Sequence, residues 1–223
     1  MQGYYRFPTI YNNKIVFVSE DDLWIVEIGN NKACRLTANL SSVHSPHFSP
    51  DGKWIGYVGT EDGNTEIYIM PSSGGESKRL TYEGANISKI ASWHKNNIIY
   101  ASDLNMPFGR TNSLRKINFS SHQSESLNLG IASNISISKE FTLLGRNTSD
   151  PARWKRYKGG TAGEIWIDKS NDDKYVELIN LNGNLACPMV IGSRAFFISD
   201  HNGISNLFSC LKSGKSLKQH TFH

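Results

Sequence analysis

The chain has 223 residues, 38% of them hydrophobic and 11% aromatic, which is enough for a sizeable core and too apolar for a disordered segment. Its formal charge of +4 is spread along the sequence, whereas a nucleic-acid binder gathers its cations on one face. There is no run of about 18 apolar residues and no secretory leader in "MQGYYRFPTI". Three widely spaced cysteines, Cys34, Cys187 and Cys210, fit neither a disulfide framework nor a zinc motif. We expect reduced thiols, at least two of them in strands, and a cytoplasmic setting.

Helical periodicity is weak throughout, and short β-branched and aromatic runs alternate with Gly, Asn, Asp and Ser clusters. In chain order, five units recur. The first is "KIVFVSEDDLWIVEIGNNKACRLT" (14–37) and the second "WIGYVGTEDGNTEIYIMPSSGGESKRLT" (54–81), and both close on Arg-Leu-Thr. The third covers 97–129, the fourth 141–179 and the fifth 195–221. Phased on Trp24, Tyr68, Arg115, Trp166 and Phe208, successive units lie 44, 47, 51 and 42 residues apart. A period of roughly 40–50 residues with four strands per unit is the signature of a propeller.

The expected fold is therefore all-β: a single β-propeller domain, 1–223, of four-stranded antiparallel blades with five repeats visible, either a five-bladed ring or an incomplete six-bladed propeller. The approximate blades are 7–40, 44–84, 88–129, 131–180 and 184–222. Turn chemistry agrees with this reading. Pro50-Asp51-Gly52, Gly74-Gly75 and Ser213-Gly214 sit between apolar runs, where Pro presets φ and Gly accepts positive φ. "GYYRFPTI" can add one strand ahead of the first unit.

The sequence offers little catalytic chemistry. No G-x-S-x-G elbow is present. His44-x-x-His47 is a close histidine pair with no further Cys or His set behind it, and "DHNG" at 200–203 lacks the later acidic ligands of a calcium loop. Both read as turn residues. No cofactor, metal or catalytic residue is expected within the chain. The one concentrated feature is "GRNTSDPARWKRYKGGTAGEIWID" (145–168), whose cations are Arg146, Arg153, Lys155, Arg156 and Lys158. It is not a P-loop, because its Gly-Gly leads into a strand and not a helix. Its interleaved bases and aromatics could stack on single-stranded nucleic acid. The preferred reading is an insertion between the first and second strands of blade four, pinned by Trp154 and Tyr157, with Gly-Gly as a turn before a strand at 164–168.

These residues resemble the N-terminal six-bladed propeller of the tricorn protease family. The resemblance is carried by the fourth-unit stretch 145–167 and by "DDLW" (21–24), "FSPDG" (48–52), "KRLTY" (78–82), "MPF" (106–108) and "LNLG" (127–130), in matching order. More distantly, the chain resembles TolB-like propellers, which share "FSPDG". The resemblance implies a non-catalytic region of a serine peptidase, whose catalytic residues lie in later domains, and a sixth blade that the sequence lacks. It implies a channel gating peptide passage, with Arg146, Arg153, Lys155, Arg156 and Lys158 as peptide- or channel-lining candidates. The implied partners are peptides and the remaining core domains, with homo-oligomers at full length and neither nucleic acid nor membrane. The family's carboxylate-anchoring basic pair is not carried over, since the connection Glu83–Trp93 has Lys89 alone. The alternative is a stand-alone TolB-like scaffold for protein–protein interaction.

Overall fold

The structure, a computed structural model, describes residues 3–38, 41–109, 111–147 and 159–223. Among these residues, twenty strands form five four-stranded sheets, each in plain sequence order. Blade one is β1 (Arg6–Tyr11), β2 (Lys14–Ser19), β3 (Asp22–Glu27) and β4 (Cys34–Arg35). Blade two is β5 (Val43–Phe48), β6 (Trp54–Gly59), β7 (Glu66–Pro71) and β8 (Lys78–Arg79). Blade three is β9 (Ile87–His94), β10 (Asn97–Ser102), β11 (Ser113–Asn118) and β12 (Ser124–Ile131). Blade four is β13 (Asn134–Ile137), β14 (Thr142–Arg146), β15 (Glu164–Asp168) and β16 (Tyr175–Glu177). Blade five is β17 (Leu185–Ile191), β18 (Arg194–Ser199), β19 (Asn206–Leu211) and β20 (Lys218–Gln219). None of the three cysteines is in a disulfide, and all lie in strands.

The phasing residues occupy one structural position. Trp24, Tyr68, Arg115, Trp166 and Phe208 are each the third residue of their blade's third strand. Each repeat quoted from the sequence therefore starts at or beside its blade's second strand. The first strands are harder to read, and three of them share a reason. Register slips between Arg6 and Thr9, His44 and His47, and Ala186 and Met189. Inside each slip lies a residue at positive φ followed by proline: Phe7 (50°), Ser45 (51°) and Cys187 (52°). A bulge places an extra residue in one strand, and proline donates no ladder hydrogen bond, so the period-two pattern breaks there. One expectation is corrected accordingly. The blade-four insertion lies between the second and third strands, β14 and β15, because "NISI" is the first strand. His44 and His47 are likewise strand residues of β5, not turn residues.

The chain divides into two compact units, 1–128 and 129–223. In the first, one apolar cluster joins blades one and two through Val16, Val18, Leu23, Ile55, Tyr57 and Met70. A second joins blades two and three through Val58, Ile67, Ile69, Ile90, Ile98 and Tyr100. Blade two thus has both faces covered: Ile55 and Tyr57 point one way, and Val58 the other, as strand alternation requires. In the second unit, Leu143, Ile165 and Ile167 of blade four pack on Ala195, Phe197 and Phe208 of blade five.

Turns behave as their residues dictate. In Ser49-Pro50-Asp51-Gly52, the Gly52 N–H donates to the Ser49 carbonyl at 2.9 Å, and Asp51 accepts from the Ser49 hydroxyl at 2.6 Å. Gly52 has φ of 69°, and a Cβ there would run into the Tyr11 ring, so only glycine fits.

Candidate functional site

The basic segment begins at the end of β14. Arg146 is paired across the ladder with Glu164, and its guanidinium lies 4.6 Å from the centroid of Trp166. Its Nη1 donates to the Ile131 carbonyl at 3.2 Å, and the Trp166 indole N–H donates to Glu164 at 2.9 Å. The Nε atom is buried with no hydrogen-bond partner. Arg146 therefore packs along the sheet as a flat cation on an aromatic face, the geometry that favours cation–π attraction. Arg153, Lys155, Arg156 and Lys158, with Trp154 and Tyr157, lie outside the described residues. The segment re-enters at Gly159, whose carbonyl accepts from the Ala162 N–H at 2.9 Å, closing a turn before β15.

In blades one, two and five the end at which the third strand begins carries a repeated polar network. In blade two the Arg79 Nη2 donates to Glu66 at 3.0 Å, its Nε donates to the Thr81 carbonyl at 2.7 Å, and the Thr81 hydroxyl accepts from the Ile67 N–H at 2.8 Å. Blade one repeats this with Arg35, Asp22, Thr37 and the Leu23 N–H. Blade five keeps the geometry without charge. Gln219 replaces the arginine and donates to the Thr221 carbonyl, Asn206 replaces the acid, and Thr221 accepts from the Leu207 N–H. Arg-Leu-Thr was visible as a sequence repeat. Its partner one strand away, an Asp, Glu or Asn opening the third strand, carries no local signal.

A buried carboxylate was also missed. Glu83 sits on the connection in which Lys89 alone drew attention. One of its oxygens accepts from the Tyr100 hydroxyl at 2.6 Å, the Arg115 Nε at 3.0 Å and the Ser124 hydroxyl at 3.1 Å. Burial, reinforced by this carboxylate, pushes the Tyr100 phenol above its ordinary range.

Two clefts occupy equivalent places in the repeat. One, of about 480 Å³, lies between blades two and three and is lined by Asn64, Thr65, Gly84, Asn86 and Asp103. The other, of about 190 Å³, lies between blades four and five and is lined by Gly163, Glu164, Glu177, Asn180, Asn182 and Gly183. The same clasp backs both. The Asn86 N–H donates to Asp103 at 2.8 Å and the Asn184 N–H to Asp200 at 2.7 Å. A third cleft, of about 730 Å³, opens on the outer face of blade one against Tyr4, Tyr5, Arg6, Phe17, Asp21 and Trp24.

Chemically, the two equivalent clefts present side-chain amide and carboxylate groups. Ser209 lies 2.7 Å from His220 Nε2, but its hydroxyl also accepts from Arg194 at 2.9 Å and is fully buried, so the pair fixes β20 against β19. His44 and His47 make separate contacts with Ser45 and the Pro46 carbonyl. Burial, and next the Arg6 charge, hold His44 down at about 4, and burial lowers His47 as well. Asp200 of "DHNG" closes a turn with Gly203, as expected. Among the described residues no group of three His, Cys, Asp or Glu side chains converges as a metal site, and no helix is long and apolar enough to cross a membrane.

Five four-stranded antiparallel sheets in sequence order, three of them with the third strand anchored by a repeated polar network, define a β-propeller protein. Residues 2–223 match the tricorn protease N-terminal beta propeller domain, and the chain belongs to that family. It is 34% identical over 228 residues to a tricorn protease homolog of Saccharolobus solfataricus, a match covering 99% of this chain and 21% of that protein. In Sulfurisphaera tokodaii it matches two proteins. One is a putative tricorn-like protease N-terminal subunit, 35% identical over 178 residues, covering 77% of this chain and 90% of that subunit. The other is the corresponding putative C-terminal subunit, 47% identical over 45 residues, covering 20% of this chain and 5% of that subunit. Among solved structures, a tricorn protease superposes with a TM-score of 0.89 at 27% identity, covering all of this chain and 23% of that one. A putative TolB from Agrobacterium tumefaciens shares the fold alone, with a TM-score of 0.76 at 13% identity, covering 97% of this chain and 80% of that one. The chain spans about a fifth of the length of the full-length relatives it matches.

Proposed function

We propose that this chain is the non-catalytic propeller region of a tricorn-like serine protease, and that it gates peptide passage and supports assembly with the protease core. The observation that carries this reading is the family match across residues 2–223, together with the 0.89 superposition on a tricorn protease. The partner is the remainder of the protease, either continuous with this chain or a separate C-terminal subunit of the kind matched in Sulfurisphaera tokodaii. The assembled protein is a cytoplasmic homo-oligomer.

The outer faces of blades one and five each expose large apolar side chains. Phe17 and Trp24 face each other across blade one, with Tyr5 edge-on to Phe17 at 5.1 Å and 66% exposed. On blade five, Met189 lies opposite Phe196 and is 41% exposed. Uncovered aromatic and aliphatic faces of this kind favour association. In this reading Arg146, Arg153, Lys155, Arg156 and Lys158 contact carboxylates of passing peptides, since guanidinium groups recognise carboxylates through paired hydrogen bonds.

The test is reconstitution. The chain, joined to or mixed with the remainder of its protease, is assayed for peptide hydrolysis beside an Arg153→Glu/Arg156→Glu variant. Restored hydrolysis that the variant alters is the expected result; a protease core equally active without the propeller ends the proposal. The second reading, a TolB-like scaffold, draws on the 32% identity over 101 residues to a Tol-Pal system protein TolB from Desulfosudis oleivorans. Recovery of an envelope protein partner instead of a peptidase would favour it.

A further inference from the structure

Blade five meets blade four through an interface complete in itself. Its apolar part is the packing of Leu143, Ile165 and Ile167 on Ala195, Phe197 and Phe208, each no more than 2% exposed. Its polar part closes across the two blades. The Gly163 N–H of blade four donates to the Asn184 side chain at 3.4 Å, and Asn184 in turn donates through its amide to Asp200 at 3.2 Å. The Leu185 N–H donates to the Gly163 carbonyl at 3.1 Å, and the Val190 N–H to the Ser136 hydroxyl at 3.0 Å. The connection between the blades, by contrast, exposes Asn180 and Asn182 to solvent.

The sizes of the two Sulfurisphaera matches bear on this connection. The last strand of blade four ends at Glu177 and the first of blade five begins at Leu185, so blade five with the connection before it is 178–223, 46 residues. The C-terminal subunit matches a stretch of similar size, 45 residues or 20% of the chain. The N-terminal subunit matches 77%, which uses 90% of its own length and leaves little of it to form another blade. A division at the boundary of the two compact units, after residue 128, would give 57% instead.

We infer that the blade-four/blade-five interface is a docking surface that holds without a covalent link, so that this propeller can divide at residues 180–183 into two polypeptides that remain assembled. The partner that fits the blade-four face is a single four-stranded blade with Phe197 and Phe208 on its inner side, delivered on a second chain. This holds whether or not the propeller serves a protease.

The test uses the intact chain. A protease recognition sequence is inserted after Asn180, the full-length protein is folded, and the insertion is then cut. We expect both pieces to co-elute at about 1 µM, an affinity ordinary for a specific interface. The urea midpoint of the cut protein should fall with each tenfold dilution, while that of the uncut protein should not move. Release of the smaller piece, precipitation on cutting, or a cut protein whose midpoint ignores concentration would overturn the inference. An insertion variant that fails to fold before cutting would also overturn it, because the connection itself would then hold the blade. A Phe197→Ala version, cut in the same way, should weaken retention of the blade at least tenfold.

Discussion

Blades two and five are built from the same four strands in the same order, yet they meet their surroundings differently. In blade two, β6 is buried at five of its six positions, and successive residues serve opposite interfaces. In blade five, β18 alternates strictly: Ala195, Phe197 and Ser199 are buried, while Arg194, Phe196 and Ile198 are only half covered. Met189, Ile191 and Leu211 on the same outer side are exposed. The second strand of blade one, β2, alternates in the same way at Val16 and Val18. An interior blade therefore reads as a solid apolar run, and a blade with one free face reads as an amphipathic strand. What separates this outer face from an ordinary solvent face is that its half-covered residues are still Phe and Ile.

The sharpest test of that contrast compares neighbours on opposite faces of one strand. Phe197→Ala removes a fully buried ring stacked on Phe208 at 6.4 Å, and should cost about 3–5 kcal/mol. Phe196→Ala, one residue away, should cost the isolated chain about 1 kcal/mol, within the range of ordinary partly exposed substitutions. Both are read from urea denaturation. Equal losses would mean that the outer face of blade five is covered in solution, and the comparison with blade two would fail.

The same alternation explains what was legible beforehand. The second and third strands of every blade carry the apolar pattern, so Trp24, Tyr68, Arg115, Trp166 and Phe208 could be phased correctly. Arg115 was the least obvious, since it holds the aromatic position but turns its guanidinium to Glu83. The first strands were obscured where a bulge and proline break the pattern, and "NISI" was too short to stand out. This moved the blade-four insertion by one strand. Glu83 and Glu66 were invisible for a different reason. A carboxylate becomes a buried anchor only through partners such as Tyr100 or Arg79, and nothing in the local sequence announces them.

The anchoring networks give a second contrast between the same two blades. Glu66 is fully buried, and its Oε2 lacks a hydrogen-bond partner, so its charge depends on Arg79 and the Gly84 N–H at the other oxygen. Arg79→Ala should therefore cost about 3–5 kcal/mol, the loss typical of stranding a buried ion. Gln219→Ala in blade five removes only neutral hydrogen bonds and should cost about 1 kcal/mol. A double variant Arg79→Gln/Glu66→Asn, which copies blade five, should recover most of the lost stability. Recovery no better than with Arg79→Gln alone would show that the two networks are not interchangeable.

Between these extremes lies a pH effect in the first unit. The folded value of His44 is about 4, below the ordinary 6.5, because burial and the Arg6 charge disfavour the imidazolium. The unfolded chain thus binds more protons between pH 6.5 and 4, and stability falls as pH drops through that window. From pH 7 to 5 the loss should be about 2 kcal/mol. His44→Gln should remove that share of the dependence, leaving the part owed to His47, His94 and His201, which are lowered in the same direction. A variant with the full pH dependence of the parent chain would assign the effect elsewhere.

The smallest effect separates two roles for Arg146. If the guanidinium serves only to pack on Trp166 and cap the Ile131 carbonyl, Arg146→Ala should cost about 1 kcal/mol and shift Trp166 fluorescence. Arg146→Lys should recover little of that loss, because an ammonium neither lies flat on the indole nor keeps the same donor geometry. If Arg146 instead shares in contacting peptides with Arg153 and Arg156, Arg146→Lys should preserve peptide processing in the assembled protein, since it keeps the charge. Stability lost with processing retained in Arg146→Lys, and both lost in Arg146→Ala, would give this residue two duties. Processing unchanged in both variants would leave it a structural part of blade four alone, and confine any peptide contact to the cations that follow it in the chain.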